Sequence, residues 1–151
     1  MSNSYTTFYF ELPLRDAAQA KKVEELLTAG DGYFDLDPDQ QEKVVEVMEE
    51  VFSEFGEYEE LGFEWNIHTR STEPDGPFTL CVFHDEFGNV EHATELIQWL
   101  LPDLEIKAAG FEYAMYGDGE NSGGAVACIK TEDGIDTQWT NTSTWLAEKL
   151  G

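Results

Sequence analysis

A chain of 151 residues that carries 32 Asp and Glu against eight Lys and Arg has a formal charge of −24. A field of that sign repels nucleic acid and anionic membranes and draws in basic proteins and cations. Disorder does not explain the acidity, because 41% of the residues are hydrophobic and 13% aromatic, enough to close the core of one ordinary domain.

TFYFELPL alternates Phe8, Phe10, Leu12 and Leu14 with Thr7, Tyr9, Glu11 and Pro13, the period of a half-buried strand. Asp16 then stands as the N-cap of a helix, DAAQAKKVEELLTAG, whose Ala17, Ala20, Val23, Leu26 and Leu27 form one apolar stripe and whose end Gly30 marks. After the turn-rich DGYFDL, a second helix is predicted over 38–55, because Val44, Val45, Met48, Val51, Phe52 and Phe55 fall on one arc at about 100° per residue. Two strands follow, GFEWNIHT and FTLCVFHD, joined by the loop RSTEPDGP. The helix NVEHATELIQWLL stops before Pro102.

The last third reads as strands in KAAGFEYAMYG, GGAVACIKT and GIDTQWT, with a glycine-rich loop, DGENSGG, between the first two and a tight Asp-Gly hairpin in EDG. STWLAEKLG closes as a short helix. The order β-α-α-β-β-α-β-β-β-α predicts an α+β fold: a single-domain two-layer sandwich over 1–151 with its helices on one sheet face. Its first portion resembles the ferredoxin-like βαββαβ arrangement, extended by an added β-hairpin and the short C-terminal helix. The N-terminal stretch has no basic region ahead of a cleavable apolar run, and no run of about 18 apolar residues occurs. A soluble, cytoplasmic protein without a membrane partner is expected.

The segment DLDPDQQEKVVE sets acids where a calcium loop needs them, yet its sixth position is Gln40 rather than glycine and its eighth is Glu42. Asp37-Pro38-Asp39-Gln40 instead reads as a helix start, with Asp37 as N-cap and Pro38 at the first helical position. His84, Asp85 and Glu86 form a loose candidate metal cluster that lacks a second ligand pair, and His92 is expected on an exposed helix face. Cys81 and Cys128 match no CxxC pattern and read as buried strand residues. The Gly117 to Gly124 loop joins strands and opens no helix, so no phosphate cradle is expected. No catalytic residue, metal or cofactor is assigned.

The sharper feature follows the cap. Glu42, Glu46, Glu49, Glu50 and Glu57 occupy the arc opposite the core of the predicted helix, Glu54 flanks it, and Lys43 is the nearby cation. Like charges at i,i+4 work against a helix, so the pattern asks for a reason other than stability. From Glu42 to Glu57 the carboxylates would span about 22 Å, roughly one per 4 Å, close to the 3.4 Å axial spacing along one DNA strand. Glu59, Glu60 and Glu64 extend the run.

In charge pattern and size the chain resembles the acidic, DNA-mimicking inhibitors of phages and mobile elements, of the anti-restriction or anti-CRISPR type. The resemblance implies a basic nucleic-acid-binding protein as partner, with no direct contact to nucleic acid. The candidate contact residues are Glu42, Glu46, Glu49, Glu50, Glu54, Glu57, Glu59 and Glu60. The alternative is a small ligand-binding or regulatory domain whose acidic surface is salt adaptation. Trp65, Tyr113, Tyr116 and Trp139 are expected to pack beneath helices, or to anchor a basic partner if they lie exposed beside an acidic rim.

Overall fold

The computed structural model describes residues 4–52, 61–69, 77–117, 120–141 and 143–150. Strand β1 (Ser4–Leu14) runs into helix α1 (Ala17–Asp31), and a 3-10 turn at Tyr33–Asp35 leads to α2 (Pro38–Met48). Strands β2 (Glu64–Thr69) and β3 (Phe78–His84) precede α3 (Val90–Leu100) and a second 3-10 turn at Leu101–Asp103. Then come β4 (Ala108–Gly117), β5 (Glu120–Thr131), β6 (Gly134–Thr140) and α4 (Ser143–Leu150). All six strands form one sheet in the order β2-β3-β1-β4-β5-β6, and every neighbouring pair is antiparallel. The chain therefore crosses twice over an intervening strand, from β1 to β2 around β3 and from β3 to β4 around β1.

The predicted period of β1 is what buries the sheet's inner face. Phe8, Phe10, Leu12 and Leu14 are buried, and the register sets Phe10 beside Val82 and Leu12 beside Leu80. Val23 and Leu27 of α1, and Leu96, Ile97 and Leu100 of α3, close over them in one core with Phe111 and Val126. Phe10 and Phe111 stack with ring centroids 4.6 Å apart.

Helix starts obey local capping chemistry. Asp16 Oδ1 accepts from Gln19 N at 2.8 Å, while Gln19 Oε1 accepts from Arg15 N at 2.6 Å, a reciprocal pair that satisfies two free amides. The Gln19 amide bond holds the Asp16 carboxyl below its usual value. Asp37 Oδ1 accepts from Gln40 N at 2.9 Å with Pro38 at the helix start, so the near-calcium motif is a helix cap. Asn89 Oδ1 does the same for α3, accepting from His92 N at 3.0 Å.

The structure differs from the sequence expectation at four places. Helix α2 ends at Met48 instead of continuing to residue 55, because Val51 and Phe52 are drawn into the core, where the Phe52 ring meets His92 at 4.9 Å and Phe63 at 6.1 Å. Bonds from Glu50 N to Val47 O and Val51 N to Met48 O tighten the last turn. Glu46, Glu49 and Glu50 also sit at the negative end of the helix dipole, which disfavours continuation.

His92, expected on an exposed face, is buried; its Nδ1 donates to the carbonyl of Leu61 at 3.0 Å. Residues 120–124, expected in a loop, belong to β5, which pairs Gly117 with Glu120. Glycine is needed there for close approach, since a Cβ on Gly124 would meet the Thr140 carbonyl and the Tyr113 hydroxyl. Finally, the helices do not all share one face. Helix α4 packs on the outer face, where Leu146 and Trp145 meet Ala125 and Ala127, and Gly110 leaves room for the Leu146 side chain.

Cys81 and Cys128 are free and buried, as expected, and burial pushes both thiols up, which leaves them poor nucleophiles. No helix among the described residues is long and apolar enough to cross a membrane.

Candidate partner-binding surfaces

Helix α2 carries the first half of the acidic run. Glu42, Glu46, Glu49 and Glu50 are all exposed, and their spacing at steps of three and four places them on one side of the helix and its terminal turn. No described Lys or Arg lies within salt-bridge distance of any of them; the ion pair found among the described residues joins Arg15 and Asp16. The apolar side of the helix is held by buried Met48 and half-buried Val44 and Val45. Because α2 stops at Met48, Glu42 to Glu50 span about 12 Å, a shorter ladder than the sequence predicts but with the same spacing of roughly 4 Å per charge. Glu54, Glu57, Glu59 and Glu60 lie outside the described residues.

A second surface was not foreseen as a site. At the N-terminal end of α3 a cleft of about 700 Å³ opens on the inner side of the sheet, within the size range of small-ligand and peptide-anchor pockets. Its floor comes from the sheet, through Thr6, Tyr113, Met115 and Trp139, and its wall from Phe87, Gly88, Val90 and Glu91. Tyr113 lies across side-chain-free Gly124, and α3 begins too late along the sheet to cover this end. Large apolar side chains are left open to solvent: Phe87 is 64% exposed, Trp139 49% and Met115 43%.

Phe87 is held in that position. The Nδ1 atom of His84 accepts from the backbone N–H of Glu86 at 3.0 Å and of Phe87 at 2.9 Å. Thr6 pairs with the same loop on both sides, donating to Glu86 O at 2.7 Å and accepting from Gly88 N at 2.9 Å. Gly62 abuts the loop from below with φ +73, and a Cβ there would collide with Asn89. His84 is thus a loop clamp, whose clamping nitrogen is committed to two amides rather than free for a metal. Among the described residues no group of three or more His, Cys, Asp or Glu side chains converges to hold a metal, which applies to Asp35, Asp37 and Asp39 as well as to His84, Asp85 and Glu86.

Behind Phe87 a hollow of about 360 Å³ has Asp31, Glu64 and His84 on its walls. Burial raises the Asp31 carboxyl above its usual value, opposed by the Trp65 indole N–H that it accepts at 2.7 Å. A raised acid favours folding below its unfolded pKa, and that contribution is lost as pH rises through the folded value.

The outer face, where α4 does not cover it, mixes exposed Tyr9 and Tyr116 with Glu11 and Glu112. The Tyr9 hydroxyl donates to Glu11 Oε1 at 2.6 Å and also reaches Cys81 Sγ, which keeps that phenol protonated well above its ordinary range.

Of the four aromatic residues singled out in the sequence, Trp139 and Tyr116 are exposed, whereas Trp65 and Tyr113 are half-buried against the core. Phe87, Met115 and Glu91 were missed. The available signal was Phe87 itself, a large apolar residue in EFGN that neither the preceding strand period nor the following helix period absorbs. No protein-family model, curated protein or solved structure matches the chain.

Proposed function

We propose that this chain is a non-enzymatic, acidic interaction protein that binds a basic nucleic-acid-handling protein and inhibits it by occupying the groove meant for nucleic acid. It would act in the manner of the DNA-mimicking inhibitors of phages and mobile elements. The observation that carries the reading is the exposed, unpaired row Glu42, Glu46, Glu49 and Glu50 on α2 in a chain of charge −24. A folded domain that sought solubility alone would gain by interspersing lysines on such a face. Glu54, Glu57, Glu59 and Glu60 complete the assigned contact by sequence continuity. We read the β1-α1-β2-β3-α3-β4 portion as ferredoxin-like; the strand order β2-β3-β1-β4 with antiparallel pairing supports it.

The test is capture from a cell lysate at low salt, comparing wild type with a variant in which Glu42, Glu46, Glu49 and Glu50 are all changed to Gln. The variant is expected to lose partners that wild type retains and that added duplex DNA releases, and retention by wild type should weaken as salt rises. Equal recovery by both proteins would sink the assignment to α2.

A second reading has its own support. Exposed acids also occupy α1 (Glu24, Glu25), the β5–β6 turn (Glu132, Asp133) and β4 (Glu112), as a salt-adapted ligand-binding domain would arrange them. That reading predicts a melting temperature that climbs into molar salt, together with recovery indifferent to the α2 substitutions.

A further inference from the structure

We infer that the cleft beside Phe87 is a docking site for an arginine of the partner, presented on a cationic peptide segment. The inference rests on the proposed function for its choice of partner, but its residues lie apart from the α2 acids.

Three observations converge on this occupant. First, the cleft offers aromatic faces from separate elements, Phe87 from the β3–α3 loop, Tyr113 from β4 and Trp139 from β6. A planar guanidinium stacks on such faces, by both cation–π attraction and apolar contact, better than a strongly hydrated ammonium does. Second, among the described lining residues the charged one is Glu91, with no Lys or Arg, and exposed Asp85 and Glu86 directly precede Phe87 in the chain. Third, the His84 and Thr6 bonds described above already hold the loop backbone, and the Phe87 ring lies 6.0 Å from that of Tyr5, so the loop backbone need not be ordered on binding.

The other occupants fit less well. The positive end of α3 is capped by its own Asn89 and complemented by Glu91, and the net charge opposes an anion. A second copy of the chain would bring another −24 charges against the first. An uncharged apolar ligand would fill the floor and leave Glu91 without a partner. The guanidinium uses both, and arginine is the side chain with which nucleic-acid-binding proteins grip phosphate bidentately.

The experiment measures binding of fluorescent nona-arginine and nona-lysine peptides to three proteins at fixed physiological salt: wild type, the double variant Phe87→Ala/Trp139→Ala, and the fourfold α2 Glu→Gln variant. Wild type should bind nona-arginine about tenfold more tightly than nona-lysine. The cleft variant should bring the two peptides within about twofold of each other while still binding both by charge. The α2 variant should weaken both peptides alike and keep the ratio. Both cleft side chains are exposed, and the conservative pair Phe87→Tyr/Trp139→Phe, which retains the rings, should restore the arginine preference. A cleft variant that keeps the wild-type ratio overturns the inference, as does displacement of nona-arginine by an uncharged leucine-bearing peptide at equal concentration. If instead the ratio behaves as expected while the α2 substitutions change no partner recovery from lysate, the cleft stands and the α2 assignment falls.

Discussion

Helices α2 and α3 are each 11 residues long, each starts at an Asx cap, and neither has a basic residue in its last turn. Their sides differ sharply. Helix α3 buries His92, Ala93, Thr94, Leu96, Ile97 and Leu100, whereas α2 buries Met48. The sequence of α3 is therefore accounted for by the core it closes, and that of α2 is not. What α2 spends on its surface, a row of mutually repelling carboxylates running into the negative end of its own dipole, is destabilising by local rules. A helix that violates those rules without a packing return is where recognition is to be sought.

The contrast can be broken most strongly in the core. Leu96→Ala, at a fully buried position, should lower stability by about 2–5 kcal/mol, while Val47→Ala on α2, where the side chain is 48% exposed, should stay within about 0.5 kcal/mol; denaturant unfolding of the two variants measures both. Next come the caps. Removing either Asp37 or Asn89 as alanine should cost about 0.5–2 kcal/mol. Asn89→Ala should be the larger loss, because the helix it caps carries the core. Equal losses would mean that α2 is coupled to the rest of the fold as tightly as α3 is. The smallest effect has the opposite sign. Glu50→Lys would pair with Glu46 one turn earlier and complement the helix end, raising stability by about 0.3–1 kcal/mol while weakening capture of the proposed basic partner. A thermal melt beside the lysate assay would show stability and binding moving in opposite directions.

The same comparison explains what the sequence disclosed. Caps are written in four adjacent residues, so Asp16 and Asp37 were legible, as was the inward period of Phe8, Phe10, Leu12 and Leu14. The end of α2 was not, because it depends on Phe52 finding His92 and Phe63, partners 40 and 11 positions away in the chain. Nor could the side chosen by α4 be read, since an eight-residue amphipathic helix is satisfied by either sheet face; the small residues Gly110, Ala125 and Ala127 decide it. The exposed Glu42 to Glu50 row was visible from spacing alone. The cleft was hidden for a different reason: Thr6, Phe87, Tyr113, Met115 and Trp139 become neighbours only once the strand order is known.

The seat of α4 on the outer face has a practical side. The cleft and α2 belong to the other side of the sheet, so a linker attached at the exposed last turn of α4 would leave from behind both proposed surfaces. Immobilised through that turn, the protein would hold its acidic helix and its aromatic hollow toward the solution, and a negative capture result could not be blamed on a blocked orientation.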